Sequence, residues 1–287
     1  MNRAALEPGG ENSPRDELAR SDSIDAWVES TIGASSNNAR LQQRLDSIKD
    51  ISSLLRFLHR FALFNDALAA RVPFLVGLIH LTPNVFIDPE AHGEFCQQAN
   101  GRIAAFVAKA ANDEYCVQGN WDLVHQYLSQ QFFRGVLDYY GIDGRELDRL
   151  HPVPDRVAAL LRESREKFFV EKGAASIFRA LGFHVALEFF AHEEFNLVDA
   201  FLRSRHPALV AKLELDRGEG CAYRWLTIHT IVEIEHYRAG IEALGHAIAF
   251  YHDRDRAGTM RAFIEQGFEA FIDLQRRYYE VVLCDSA

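Results

Sequence analysis

The segment Trp225-Leu-Thr-Ile-His229-Thr-Ile-Val-Glu233-Ile-Glu235-His236 carries two imidazoles and a carboxylate at positions i, i+4 and i+7. On a helix turning about 100° per residue, Glu233 sits roughly 40° and His236 roughly −20° from His229, so the three project together while Glu235 points elsewhere. Trp225, Leu226, Val232, Gly240, Ala243 and Leu244 continue the same side, so the polar trio interrupts a stripe that should face a core. Burying these groups unpaired would cost several kcal/mol, on the order of a domain's whole stability. A divalent metal removes that cost, because imidazole nitrogen and carboxylate oxygen both suit iron or manganese and this spacing converges them on one point. A solvated polar face, or a His–Glu hydrogen bond within the helix, is the plainer alternative.

A second helical segment, His184-Val-Ala-Leu-Glu188-Phe-Phe-Ala-His192, places Glu188 at the centre of a line flanked by Phe183, Leu187 and Phe195. Glu193 and Glu194 fall off that line and are expected at the solvent or the helix rim. His184 and His192 are expected to hydrogen-bond a neighbour or to stand behind a ligand. A third element joins Glu114, on the face of Ile103, Val107, Ala110 and Ala111, to His125, on the face of Trp121, Leu128 and Phe132. A carboxylate ending one helix and a histidine starting the next can meet at the corner between them. Glu114, His125, Glu188, His229, Glu233 and His236 thus give three carboxylates and three imidazoles, enough for two ferrous ions with positions left for dioxygen and a substrate. Ferritin-type bundles use two E-x-x-H motifs, and here the E-x-x-H run is Glu233 to His236 alone.

The elements that must position these residues read as helices. From Leu45 onward apolar residues recur at three and four, as in Ile51, Leu54, Leu55, Leu58, Phe61, Ala62 and Phe64, with no period-two strand and no internal repeat. Pro73 should kink or divide the first long helix, and Pro83 and Pro89 mark an irregular connection. A helix over 90–117 should stop near Gly119, with Asn120 capping another that begins at Trp121. Gly141, Gly144, Pro152 and Pro154 punctuate a loop with one short helix; 155–205 reads as two helices divided near Gly173; 223–252 and 258–283 complete the set. The prediction is an all-α, single-domain bundle of seven to nine helices over residues 23–287, after a disordered tail over 1–22.

Composition bounds the partners. The chain has 287 residues, 48% of them apolar, enough for a sizeable core, and 41 acidic against 31 basic residues leave a net charge of −10, the wrong sign for a nucleic-acid grip. Four scattered cysteines give neither a disulfide framework nor a cysteine zinc site, so a reducing cytoplasm fits. The longest greasy stretch, Val72 to Leu81, is about half a membrane span, and the start of the chain lacks a secretory leader's pattern, so no membrane is expected. A homodimer is the default assembly.

The order Glu114, His125, Glu188 and then H-x-x-x-E-x-x-H resembles the haem-oxygenase-like di-metal oxidases and oxygenases, iron-containing redox enzymes. The likeness runs over about 45–283 and rests on the stretches around Glu114, from Gly182 to Glu188, and from Ile228 to Tyr237. It implies a haem-oxygenase-like helical fold and two Fe(II) ions, with manganese as the alternative. Glu114, His125, Glu188, His229, Glu233 and His236 would be the ligands, with Glu194 a substitute for Glu188. It also implies an O2-dependent oxidoreductase acting on a small amino-acid-like or fatty-acid-like molecule by N-oxygenation, desaturation, decarboxylation or C–C cleavage. Such a substrate needs a cationic partner, for which Arg102, Lys109, Arg134 and Arg179 are candidates, and apolar walls, for which Phe132, Phe133, Phe189 and Phe190 are candidates. Two other classes compete: a metal-free thiaminase-like hydrolase using a cysteine such as Cys116 or Cys221, and a non-catalytic helical protein that binds metal or a partner.

Overall fold

The computed structural model describes residues 20–69, 71–88, 98–115, 124–150, 152–167, 173–215, 221–253 and 257–284. They form α1 (Ser21–Ile32), α2 (Asn37–Ser47), α3 (Ile51–Ala69), α4 (Val72–Leu81), α5 (Gln98–Tyr115), α6 (His125–Tyr140), α7 (Gly144–Leu150), α8 (Asp155–Glu166), α9 (Ala174–Arg205), α10 (Pro207–Leu213), α11 (Arg224–Phe250) and α12 (Ala257–Val281). The all-α bundle is as expected, with no strand among the described residues beyond a single bridge between Phe86 and Tyr251.

The punctuation explains most boundaries. Pro73 lies in the first turn of α4, where a missing N–H costs nothing, so it divides α3 from α4 instead of kinking one helix. Gly173, at φ 144°, precedes α9, which then runs unbroken for 32 residues. Two expectations need correction. Helices α1 and α2 precede the first predicted helix, α1 starting at Ser21 inside the expected tail; Ile24, Trp27, Val28 and Ile32, spaced at three and four, are buried. Residues 1–19, the rest of that tail, lie outside the described residues. The helix carrying His125 starts at His125, because Val124 has extended backbone (φ −91°, ψ 141°); Asn120 and Trp121 lie outside the described residues.

Helix α9 is the axis of the molecule, packed against α12 on one side and α11 on another, with α5 laid on α11 and α3 against α6. The α9–α12 contact is backbone to backbone. A Cβ on Gly182 would sit 2.2 Å from the Ile264 carbonyl oxygen, and one on Gly267 2.2 Å from that of Arg179. Length and composition alone would let α9 and the 51–81 stretch cross a membrane, yet 72% of the α9 window is buried within the bundle. Burial round most of its circumference leaves α9 only a narrow polar face, so several polar groups in its middle, Glu188 and Glu194 among them, meet other helices.

Candidate metal centre

Four helices deliver the six predicted residues to one place. Glu114 comes from the last turn of α5, His125 from the first residue of α6, Glu188 from the middle of α9, and His229, Glu233 and His236 from the first half of α11. His125, Glu188, His229, Glu233 and His236 are all buried. The α-helical period therefore turned the α11 trio inward as predicted, and Glu235 outward into an ion pair with Lys109 at 2.9 Å.

The cluster has two halves. In one, His125 Nδ1 lies 2.9 Å from Glu114 Oε2 and 3.1 Å from His229 Nε2. In the other, His236 Nδ1 lies 3.6 Å from Glu188 Oε2 and 3.4 Å from Glu233 Oε2. Glu233 joins them, since its Oε1 is 3.7 Å from His229 Nε2. Donor atoms of Glu188, Glu233 and His236 all fall within 4.8 Å of one another, close enough to share one cation.

Each imidazole has its remaining nitrogen occupied. His229 Nδ1 meets the Trp225 carbonyl oxygen at 2.5 Å, so the proton sits there and the Nε2 lone pair faces the cluster. His236 Nε2 meets Asp113 Oδ2 at 2.8 Å, leaving Nδ1 for Glu188 and Glu233. The Trp225 indole N–H donates to His125 Nε2 at 3.1 Å, which leaves the His125 proton on Nδ1, between Glu114 and His229. A cation held by Nδ1 would displace this proton to Nε2, which would give up the Trp225 N–H and turn to Asp66 Oδ1, 3.6 Å away. Ser129 Oγ, 3.0 and 3.1 Å from the two Asp66 oxygens, fixes that carboxylate. The donor set and its ring orientations fit divalent metal ions.

Electrostatics marks the same spot. Burial lowers His125, but the Glu114 carboxylate, with Asp66 and Glu233, outweighs it and pushes the imidazole up to about 9; the Trp225 N–H, which needs a bare Nε2, opposes the second proton. Burial and the charge on His125 push His229 down to about 3. Burial and the neighbouring Glu188 carboxylate raise Glu233. Burial lowers His236 as well, but hydrogen bonds with Asp113, Glu188 and Glu233 hold it well above the usual histidine range. Three carboxylates and three imidazoles in one cluster, with Asp66 and Asp113 against it, repel and attract strongly enough to demand a cation, whether proton or metal.

Glu188 is the α9 carboxylate of the cluster. Glu194, its expected substitute, is not at the rim but fully buried against α12, where Gln275 Nε2 donates to it at 3.3 Å; Glu193 is exposed as expected. His184 stands behind Glu188, Nδ1 to Oε1 3.2 Å, and burial and the charge on His236 push it down to about 4. His192 turns away to Asn196.

The expected cationic partners do not reach the site. Arg102 pairs with Asp88, Lys109 with Glu235 and Arg134 with Asp138, while Arg179 bonds Gln266 and covers Phe263. The expected aromatic walls are also elsewhere: Phe132 packs on Tyr223 and Trp225, Phe133 on His59, Phe189 on Tyr237 and Phe190 on Phe271. A small cavity beside the cluster is walled instead by Leu68, Val72, Leu187 and Phe195, with the Asn65 amide among its described lining residues. Phe195 stacks on the His229 ring, centroids 4.2 Å apart. A second small cavity, on the α5–α11 side, is lined by Asp113, Leu128, Ile228 and Val232 with four of the ligand candidates. Long side chains choose partners from whatever the fold brings near, which spacing along one helix does not report.

Sequence reasoning missed Asp66 and Asp113. Asp113 is the neighbour of Glu114 and so points about 100° away from it, and helical period gives no sign that both serve one cluster. Asp66 lies on a helix where periodicity marked only the apolar residues.

Comparison with known proteins returns no match: no family model, no curated protein and no solved structure matches this chain.

Proposed function

We propose that the protein is a non-haem di-iron oxidase or oxygenase of the haem-oxygenase-like type, acting with dioxygen on a small amino-acid-like or fatty-acid-like substrate. The observation that carries the reading is the shared carboxylate: Glu233 stands between a Glu114/His125/His229 half and a Glu188/His236 half, all from one buried cluster. Iron, when bound, supplies the electrons that make dioxygen reactive. The chain's own residues then have separate tasks. Glu114, His125 and His229 would hold iron in one half and Glu188 and His236 in the other, with Glu233 placed between them. The Trp225 carbonyl fixes which nitrogen His229 offers, and Phe195 and Leu187 keep water from the face where substrate approaches.

The cavity lining bears on the substrate. With no Lys or Arg among its described residues, a substrate carboxylate would be held by metal or by the Asn65 amide, not by a guanidinium. The thiaminase-like reading loses support because Cys221 Sγ donates to the Leu213 carbonyl and lines neither cavity; Cys116 lies outside the described residues.

Anaerobic Fe(II) titration tests the reading, with about two equivalents bound per chain expected, His229→Ala reducing that number, and the loaded protein consuming dioxygen when candidate amino and fatty acids are supplied. Absence of iron binding, or a His229→Ala variant identical to the parent protein, overturns it. Iron binding without any oxygen uptake favours a non-catalytic metal-binding protein.

A further inference from the structure

Helix α5 closes with two acids in its last turn, Asp113 and Glu114, and no basic residue there. Negative charge at a helix C-terminus opposes the helix dipole, so helix stability gives no reason for either. What they grip does. Glu114 meets His125 of α6, whereas Asp113, projecting to another side, meets His236 of α11. Two adjacent carboxylates thus hold imidazoles of the two different halves of the cluster.

We infer that Asp113 is a positioning residue of the metal centre: its carboxylate accepts the Nε2 hydrogen of His236 and so keeps Nδ1 of that ring turned toward Glu188 and Glu233. The inference rests on the metal-binding reading above and adds to it a residue outside the six proposed ligands. A neutral imidazole offers one N–H and one lone pair, and whichever nitrogen is hydrogen-bonded outward decides which one faces inward. The distances satisfy this arrangement: Nε2 to Asp113 Oδ2 is 2.8 Å, and Nδ1 lies 3.4 and 3.6 Å from the two glutamates. His236 is 5% exposed while Asp113 is 34% exposed, so the ring is locked inside and its anchor reaches in from the rim. Removing the anchor frees the ring to turn or to exchange its proton between nitrogens, at no cost to the core.

Cobalt(II) titration of the metal-free full-length chain, read by visible absorption and calorimetry, tests this on the parent protein, Asp113→Ala, Asp113→Asn and Glu235→Gln. Loss of a ligand's hydrogen-bond partner costs about 10–100-fold in metal affinity, so Asp113→Ala should weaken one of the bound equivalents by that factor. Asp113→Asn, which keeps an acceptor oxygen, should lose less, and the metal-free protein should still melt cooperatively in both. Glu235→Gln removes one negative charge from the same region at an exposed site and should bind as the parent does. If Asp113→Ala and Asp113→Asn bind cobalt within a factor of about two of the parent, the inference fails and the metal reading stands. Equal weakening by Glu235→Gln would reduce Asp113 to a general charge effect and also overturn it. A parent protein that binds no cobalt removes both.

Discussion

Helix α9 buries two glutamates less than two turns apart, and their surroundings differ in kind. Glu188 faces α11 and lies among imidazoles: His184 at 3.2 Å and His236 at 3.6 Å, with Glu233 close enough to share a cation. Glu194 faces α12 and lies among uncharged groups, the Gln275 amide and the hydroxyls of Tyr278 and Tyr279, with its Oε1 unbonded. Burial pushes Glu194 up to about 7, against the pull of nearby Tyr279 and Gln275. One acid is placed where a positive charge is wanted, the other where a proton must supply it. The lesson is that burial alone does not make a carboxylate a ligand; the neighbours that tolerate or refuse its charge do.

That contrast can be broken most forcefully at Glu233. Glu233→Ala removes the carboxylate both halves share and should lower metal affinity by more than the roughly 100-fold that losing a ligand's hydrogen-bond partner costs, whereas Glu194→Ala should leave the metal stoichiometry of the parent. Equilibrium dialysis against Fe(II) under nitrogen compares the two, and equal losses would erase the distinction.

The next effect is on pH. Glu194 titrates near its ordinary 4.5 when unfolded and at about 7 when folded. The folded chain therefore holds this proton more tightly, and the stability it contributes is full below about 4.5 and lost as pH rises to about 7. Glu194→Gln carries no such proton, so relative to the parent it should gain on the order of 3 kcal/mol between those limits. Urea unfolding of both metal-free proteins at several pH values measures the difference; parallel curves would mean that the folded chain holds the Glu194 proton no more tightly than the unfolded one.

Gly182→Ala probes the interface on which Glu194 depends. Its Cβ would meet the Ile264 carbonyl oxygen at 2.2 Å, so α12 must move off α9 at a cost of about 1–3 kcal/mol or more. Thermal melting should fall while metal stoichiometry holds, because the donors lie on α5, α6, α9 and α11. The smallest effect belongs to Lys109→Ala, which breaks an exposed pair with Glu235 and should change stability by less than about 1 kcal/mol and metal binding not at all.

The parts of the centre that were legible in the sequence are those governed by helical period alone. His229, Glu233 and His236 share a face because of their spacing, and an apolar stripe around them on α11 announced burial. The break between Glu114 and His125 was legible as a corner, though the start of α6 was placed four residues early. Glu188 and Glu194 could not be separated in this way, since α9 is buried almost all round and periodicity has no polar face to exclude. Arg102, Lys109 and Arg179 were expected at the site from their nearness in sequence, and the fold gave them Asp88, Glu235 and Gln266 instead.

By itself the sequence determined the all-α class, the three side chains that ride together on α11, and the chemical character of the set: nitrogen and oxygen donor groups in a core. Those follow from local rules, the 3.6-residue turn and the cost of burying charge. Tertiary structure decided which α9 acid joins them, that Asp113 and Asp66 stand behind two of the imidazoles, and that Trp225 offers its carbonyl to one histidine and its N–H to another. Those depend on which helices touch and at what depth. The backbone-to-backbone crossing of α9 and α12 at Gly182 and Gly267, against which Glu194 is buried away from the cluster, is such a contact between residues far apart in the chain, and no local pattern encodes it.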